Sequence, residues 1–250
     1  MGDTRPNPRG QVLILNGAPR SGKSSIVAAV QDRFDGPWLN LGVGVWVRGA
    51  TPPRYRPGIG LRPGGERPDL EPFVVSAFAA LYESIAAHAR LGLNVVADVG
   101  HHDAYSKPLG ILQASAERLD GFPVLFVGVR CPIEVIMARR TESKARGDEH
   151  YVTGSPDDPF PAPVRRWQEE VHRPGIYDVE VDTSVLTPDD CAAEIQRRLR
   201  SGPPGDAFAR IARALSPDDA PSMKRGQLHA QAFRHGVHDP GRGHAGTRRS

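Results

Sequence analysis

Cysteine is almost absent from this chain. There are two, Cys131 and Cys191, too few for a disulfide framework, so a reducing, cytoplasmic setting is expected. Lysine is nearly as scarce. It occurs only at positions 23, 107, 144 and 224, against 28 arginines, which makes a lysine at a required position a marked choice. No apolar run approaches the roughly 18 residues of a membrane span. The opening Met1-Gly-Asp-Thr-Arg-Pro6 lacks an apolar signal region, and no membrane partner is expected.

What is present suffices for one good-sized core. The 250 residues are 39% hydrophobic and 24% charged. The net charge of +3 hints at an anionic partner, but it is unevenly spread: residues 201–250 carry +4 and residues 1–200 carry −1. The last stretch holds seven Gly, five Pro and four His and is expected to be a disordered tail, with helical patterning only over Phe208–Leu215. Residues 1–10, with Pro6, Pro8 and Gly10, read as a loose arm. The folded domain is then 11–200. Within it, apolar strand-like runs at 11–16, 38–43, 93–99, 122–129 and 177–182 alternate with helical patterns at 23–34, 73–90, 109–119, 133–146 and 188–200. That alternation predicts an α/β fold: a five-stranded parallel sheet with helices on both faces, a three-layer sandwich.

Between the first strand and the first helix stands Gly17-Ala18-Pro19-Arg20-Ser21-Gly22-Lys23-Ser24. It fits the phosphate-binding pattern G-x-x-x-x-G-K-S/T in the right context. Such a loop turns successive N–H groups onto phosphate oxygens at a helix N-terminus. Lys23 is placed for the β- and γ-phosphates, and the Ser24 hydroxyl for Mg²⁺; Ser25 completes the set. Asp98, at the end of the buried third strand, faces the cleft where open α/β sheets bind ligands and is the expected second Mg²⁺ partner. His101, His102 and Asp103 follow it; two histidines are too little for a metal site of their own.

With these residues in hand, the chain resembles the chloramphenicol phosphotransferase-like P-loop kinases. The resemblance rests on Ile14-Leu-Asn-Gly17 with the phosphate loop, Pro37-Trp-Leu-Asn-Leu-Gly-Val43, Asn94-Val-Val-Ala-Asp-Val99 and Val124-Leu-Phe-Val-Gly-Val-Arg-Cys-Pro132. It continues with Ala145-Arg-Gly-Asp148, Val171-His172 and Tyr177-Asp-Val-Glu-Val-Asp-Thr-Ser184. These pieces occur in the family's order over about 11–200. The resemblance implies ATP- and Mg²⁺-dependent phosphorylation of a small-molecule hydroxyl. It also implies lid arginines on the transferred phosphate, at Arg139 and Arg146, and a loop near the adenine that includes Thr183. The bland alternatives are a solvated arginine face paired with Glu134, Glu142 and Glu149, and a turn capped by Thr183 or Ser184.

One departure matters. After the second strand the family pattern carries an Asp regarded as general base, and here that position is Gly44, within Gly42-Val-Gly-Val-Trp46. The family's frequent Asp-Asp is Ala97-Asp98 here. Another group must then serve as base, with Asp98 first and His101 or Asp103 next, or the transfer proceeds slowly without one. The competing reading is a nucleotide-binding pseudokinase or regulatory module. Trp46 and Arg48 make the substrate-facing segment unlike the family's, which argues against chloramphenicol itself as acceptor. The Pro/Gly-rich 49–72, with Arg54, Tyr55, Arg56 and Arg62, is expected to cover the acceptor, and 154–163 to form a loop above the cleft. A nucleic-acid partner is disfavoured, because the tail is only +4 and has only Phe208 and Phe233 as aromatics. Oligomeric state leaves no trace in the sequence.

Overall fold

The computed structural model describes residues 9–147 and 151–214. The expected arm up to residue 8, Asp148, Glu149 and the tail beyond 214, with Phe233, lie outside the described residues.

Five parallel strands form one sheet: β1 (Val12–Asn16), β2 (Trp38–Asn40), β3 (Asn94–Val99), β4 (Val124–Arg130) and β5 (Val179–Asp182), in the order β2-β3-β1-β4-β5. The side-chain period of two sends alternate residues of β1 to opposite faces. Val12 and Ile14 enter one core with Val95, Ala97, Val124 and Phe126. Leu13 and Leu15 enter the other with Val96, Leu125 and Val127. The first core is covered by α3 (Glu71–Arg90), α4 (Ile111–Arg118) and α8 (Ala207–Ala214), and the second by α1 (Lys23–Arg33) and α7 (Pro188–Ser201). This is the three-layer arrangement that the alternation of patterns predicts. Each large apolar side chain so buried is worth roughly 1.5–3 kcal/mol. At 20 residues, α3 has the length and apolar composition of a membrane span, but Val74, Phe78, Leu81, Tyr82 and Ile85 are spent on the core.

Three local expectations need correction. The chain bends into a helical turn, α2 (Val43–Val45), where a strand to residue 43 was expected. The segment expected as a loop from Gly154 to Pro163 already enters α6 (Ala162–Glu170) at Ala162, and Val164 and Trp167 of that helix are buried against Ile136 and Met137 of α5 (Ile133–Ala145). Last, the fold does not stop at residue 200. Asp178 accepts from the backbone N–H of Asp206 (2.7 Å) and Ala207 (3.0 Å), capping α8. Phe208 then packs edge-on against Phe126, with ring centroids 4.9 Å apart. A Gly/Pro-rich composition concealed this docking, because the cap comes from a residue 28 positions away.

The chain leaves β1 for the β2 side of the sheet and later crosses to β4 on the other. Neighbouring connections therefore part at the C-terminal end of β1, which opens the crevice where such sheets bind ligands.

Candidate active site

The phosphate loop occupies that crevice. Gly22 sits at φ 95° immediately before α1, in the left-handed region that favours glycine. Arg20 takes φ 73° without that freedom, a local cost the surrounding contacts sustain. Ser21 is buried and its hydroxyl has no hydrogen-bond partner. Lys23 donates through Nζ to the carbonyls of Gly17 (2.7 Å) and Ala18 (2.8 Å). Burial pulls the lysine down to about 8, against the opposing attraction of Asp98.

The Ser24 hydroxyl donates to Asp98 Oδ2 at 2.7 Å. The pair joins residues 74 apart, and the chain after β2 lies close against the same aspartate: a Cβ on Gly42 would stand 1.8 Å from Asp98 Oδ1. One hydroxyl and one carboxylate suit Mg²⁺, which keeps several waters and relies on substrate phosphates for its remaining ligands. Among the described residues no cluster of three metal-ligating side chains exists that would hold a different kind of metal.

A cavity of about 330 Å³ extends from this loop, lined by Gly22, Lys23, Ser24, Arg139, Arg146 and Thr183 among others. Its far wall differs from expectation. Arg139 does not reach forward. It donates to Thr183 Oγ1 (3.0 Å), the Thr183 carbonyl (2.7 Å) and, more weakly, the Arg20 carbonyl (3.3 Å). Thr183 in turn donates to the Ser21 carbonyl at 2.7 Å. Arg139 therefore fastens the loop after β5 to the phosphate loop. Arg146, on the same stripe, is largely exposed at the cavity rim, with Glu142 at 3.9 Å. Ser184 belongs to a local turn, donating through its N–H and its hydroxyl to the Asp182 carboxylate.

A second, larger cavity of about 600 Å³ borders the phosphate loop at Pro19. Pro19, Leu61, Arg62, Arg67, Arg140, Tyr151 and Trp167 are in its wall. Tyr151 and Trp167 were not singled out from the sequence; Arg140 stood out there only as part of the arginine-rich helix, off the Arg139–Arg146 stripe. Tyr151 belongs to both cavities and is flanked by two guanidiniums, Arg20 at 4.5 Å and Arg140 at 5.4 Å from its ring centroid. The 49–72 cover is pinned from behind, where His102 bonds through Nε2 to the Leu61 carbonyl at 2.9 Å and stands edge-on to Trp167.

The comparisons with known proteins come down on the same side as this geometry. The family model described as chloramphenicol phosphotransferase-like protein matches residues 10–200. The chain belongs to the chloramphenicol phosphotransferase-like family. A Mycobacterium tuberculosis protein named as a candidate O-phosphotransferase is 28% identical over 219 residues, covering 82% of this chain and 88% of that one. Among solved structures, the Mycobacterium tuberculosis APS kinase in complex with AMPPNP and APS aligns with a TM-score of 0.51 at 18% identity. It covers 78% of this chain and 99% of the kinase. A candidate kinase from Chloroflexus aurantiacus aligns equally well, at 14% identity. At these identities the structures testify to the fold, a P-loop kinase fold, and to nothing finer.

Within the family frame, the gap at Gly44 has a physical content. The nearest atoms to a Cβ there belong to the Arg48 guanidinium, at 3.4 Å. Cationic guanidinium thus lies over the position that the family's carboxylate would occupy. Two of the substitute bases are otherwise engaged. His101 is buried, bonded through Nε2 to the Tyr82 hydroxyl at 2.7 Å, and held neutral by burial, down to about 3. Asp103 accepts from the N–H groups of Leu109 (2.7 Å) and Gly110 (3.0 Å), and lines a different hollow beside α4. Asp98 alone remains at the phosphate loop. His172, the partner in the family's Val-His pair, is structural: Asn16 donates to the Tyr177 hydroxyl, which bonds His172 Nδ1, both at 2.9 Å. Burial and Arg130 keep this ring neutral, down to about 4.

Proposed function

We propose that this chain is an ATP- and Mg²⁺-dependent kinase that phosphorylates a hydroxyl of a small molecule. The observation that carries the reading is the Ser24–Asp98 pair at 2.7 Å beside a buried Lys23, where two cavities meet at the phosphate loop. ATP would lie in the smaller cavity, its β- and γ-phosphates on the loop N–H groups and Lys23, which would exchange its carbonyl partners for phosphate oxygens. Bound Mg²⁺ would neutralise charge developing on the phosphates. Ser24 and Asp98 hold the oxygens suited to it.

The acceptor hydroxyl enters from the larger cavity. As its oxygen bonds to the γ-phosphorus, the bond to the β,γ-bridging oxygen breaks and ADP leaves. The hydroxyl proton passes to Asp98 or to water. Transfer through a loose transition state depends chiefly on positioning and charge neutralisation, so the chain can work without a carboxylate at position 44. Arg146, at the rim, is the lid residue with freedom to follow the transferred phosphate. Arg139 acts as a positioning residue.

Lys23→Ala tests the reading directly. Calorimetric titration with ADP should show affinity falling about a hundredfold, in keeping with truncation of one member of a desolvated charge pair. Unchanged binding would sink the proposal. Tight nucleotide binding with no ADP release over a panel of amphenicol, aminoglycoside, nucleoside and sugar acceptors would instead favour a nucleotide-binding module without transfer, the reading Gly44 suggests.

A further inference from the structure

The larger cavity has a charge pattern of its own. Its ionisable wall consists of Arg62, Glu66, Arg67 and Arg140, with Tyr151 at the edge. The lone carboxylate among them, Glu66, is bonded to Arg62 at 2.6 Å. No carboxylate in this wall is left for an ammonium group, so an aminoglycoside-like cation would find no counter-charge.

Arg140 stands out from the surface arginines. It is 5% exposed. Among the described residues its Nε has no hydrogen-bond partner, and Nη1 makes a long 3.3 Å contact to the Val152 carbonyl. No acidic side chain among the described residues forms an ion pair with it. A buried guanidinium without an anion is costly, and the loss of hydration weighs on this one despite the neighbouring Tyr151 ring. Arginine's planar fork is also the group best matched to a carboxylate or phosphate. Arg67 is in the same wall, and among the described residues it pairs with Asp69 alone. Over Gly44, the Arg48 guanidinium makes the approach to the reacting centre cationic as well.

We propose that the acceptor is an anion: a hydroxyl compound bearing a carboxylate or phosphate group, which docks on Arg140 in the cavity walled by Pro19, Leu61, Arg67 and Trp167. This rests on the kinase reading above and deepens it by naming the substrate class. The anionic group anchors the acceptor at the Arg140 side, and its hydroxyl is presented toward the phosphate loop across Pro19. The buried positive charge finds its partner only when the acceptor arrives, which favours the right acceptor over a neutral isostere.

The test fills the nucleotide site first. Full-length protein saturated with a non-hydrolysable ATP analogue and Mg²⁺ is titrated with inorganic phosphate, gluconate, glucose and glucosamine. Binding is read by calorimetry and by tryptophan emission, because Trp167 is in the wall. Phosphate or gluconate should bind at least tenfold more tightly than glucose or glucosamine, and which of the two is preferred separates a phosphate from a carboxylate acceptor. Arg140→Gln should bring the anions down to the level of glucose while leaving affinity for the ATP analogue within about twofold. Equal binding of the neutral and anionic probes, no anion binding at millimolar concentration, or anion binding that survives Arg140→Gln would each overturn the inference. If circular dichroism shows Arg140→Gln unfolded, the exposed-wall variant Arg67→Gln carries the test, with anion affinity expected to fall at least threefold and an unchanged value overturning the proposal. Failure of the ATP analogue to bind is a different result, and refutes the kinase reading instead.

Discussion

The two cavities flanking the phosphate loop are built from different material. On the side proposed for the nucleotide, the groups offered to phosphate are backbone N–H groups, one lysine and one hydroxyl, supplied by consecutive residues 17–24. Even Arg139 serves there by bonding carbonyls and Thr183. On the side proposed for the acceptor, the wall is made of side chains from segments far apart in sequence: Leu61 and Arg67, Arg140, Tyr151 and Trp167. Main chain is the same whatever the sequence, so the first side can be shared across many kinases. The second can be changed residue by residue without disturbing the fold, and specificity belongs there.

The contrast can be broken deliberately, and the largest effect should come from Asp98, the carboxylate bonded to Ser24 at the phosphate loop. Asp98→Asn keeps the hydrogen bond from Ser24 but removes the charge; ATP turnover, followed as ADP release, should fall about a hundredfold or more, while Mg²⁺-free ADP binding changes little. A loss of nucleotide affinity of the same size would mean that Asp98 is structural. Next in size is a pH effect confined to the nucleotide side. Free Lys23 titrates near 8, and bound phosphate favours its charged form. Below pH 8 the lysine already holds its proton and ADP affinity should be level. Above pH 8 binding must take up a proton, so affinity should fall by up to about tenfold per pH unit. Calorimetry in buffers of different ionisation heat would register that uptake, and a flat profile to pH 10 would contradict it.

Arg139→Ala should weaken ADP by about tenfold through loosening of the Thr183 wall, with anion binding on the acceptor side unaltered. An Arg139 that touches the transferred phosphate would lower turnover more than affinity. The smallest effect is expected for Gly44→Asp. The site has room, and Arg48 would take the new carboxylate, so stability should move by about 0.5 kcal/mol or less and ATP turnover by less than about threefold. A rise above tenfold would show that a base had been missing and that Asp98 does not fill the role.

The nucleotide side was readable in the sequence because its geometry is local. A strand, a Gly-framed turn and a helix leave Lys23 and Ser24 one arrangement, and Asp98 announces itself as a polar end to a buried strand. Arg139 was legible as a residue of the site but not in its direction. Helical phase puts 139 and 146 on one stripe, yet only the loop after β5, 44 residues away, determines that Arg139 turns back to bond Thr183. The helix α6 and the docking of α8 were missed for a related reason: Trp167 and Phe208 sit in Pro-rich surroundings whose composition signals loop, and distant partners override it. His101 and Asp103 were reasonable bases by position, and they are removed by the Tyr82 hydroxyl and by the turn that Asp103 caps.

By itself the sequence determined that a phosphate-binding loop would stand at the switch point of a parallel sheet, and that a family carboxylate would be missing beside it. Those features depend on spacing along the chain and on backbone freedom at a few glycines. Only the tertiary structure decided what stands in the vacated region and across from it: guanidinium over Gly44, and a buried Arg140 facing a side-chain cavity. Charge on an exposed stripe and charge sunk in a wall read alike as letters, and burial, a property of the whole packed chain, is what makes one of them demand an anion.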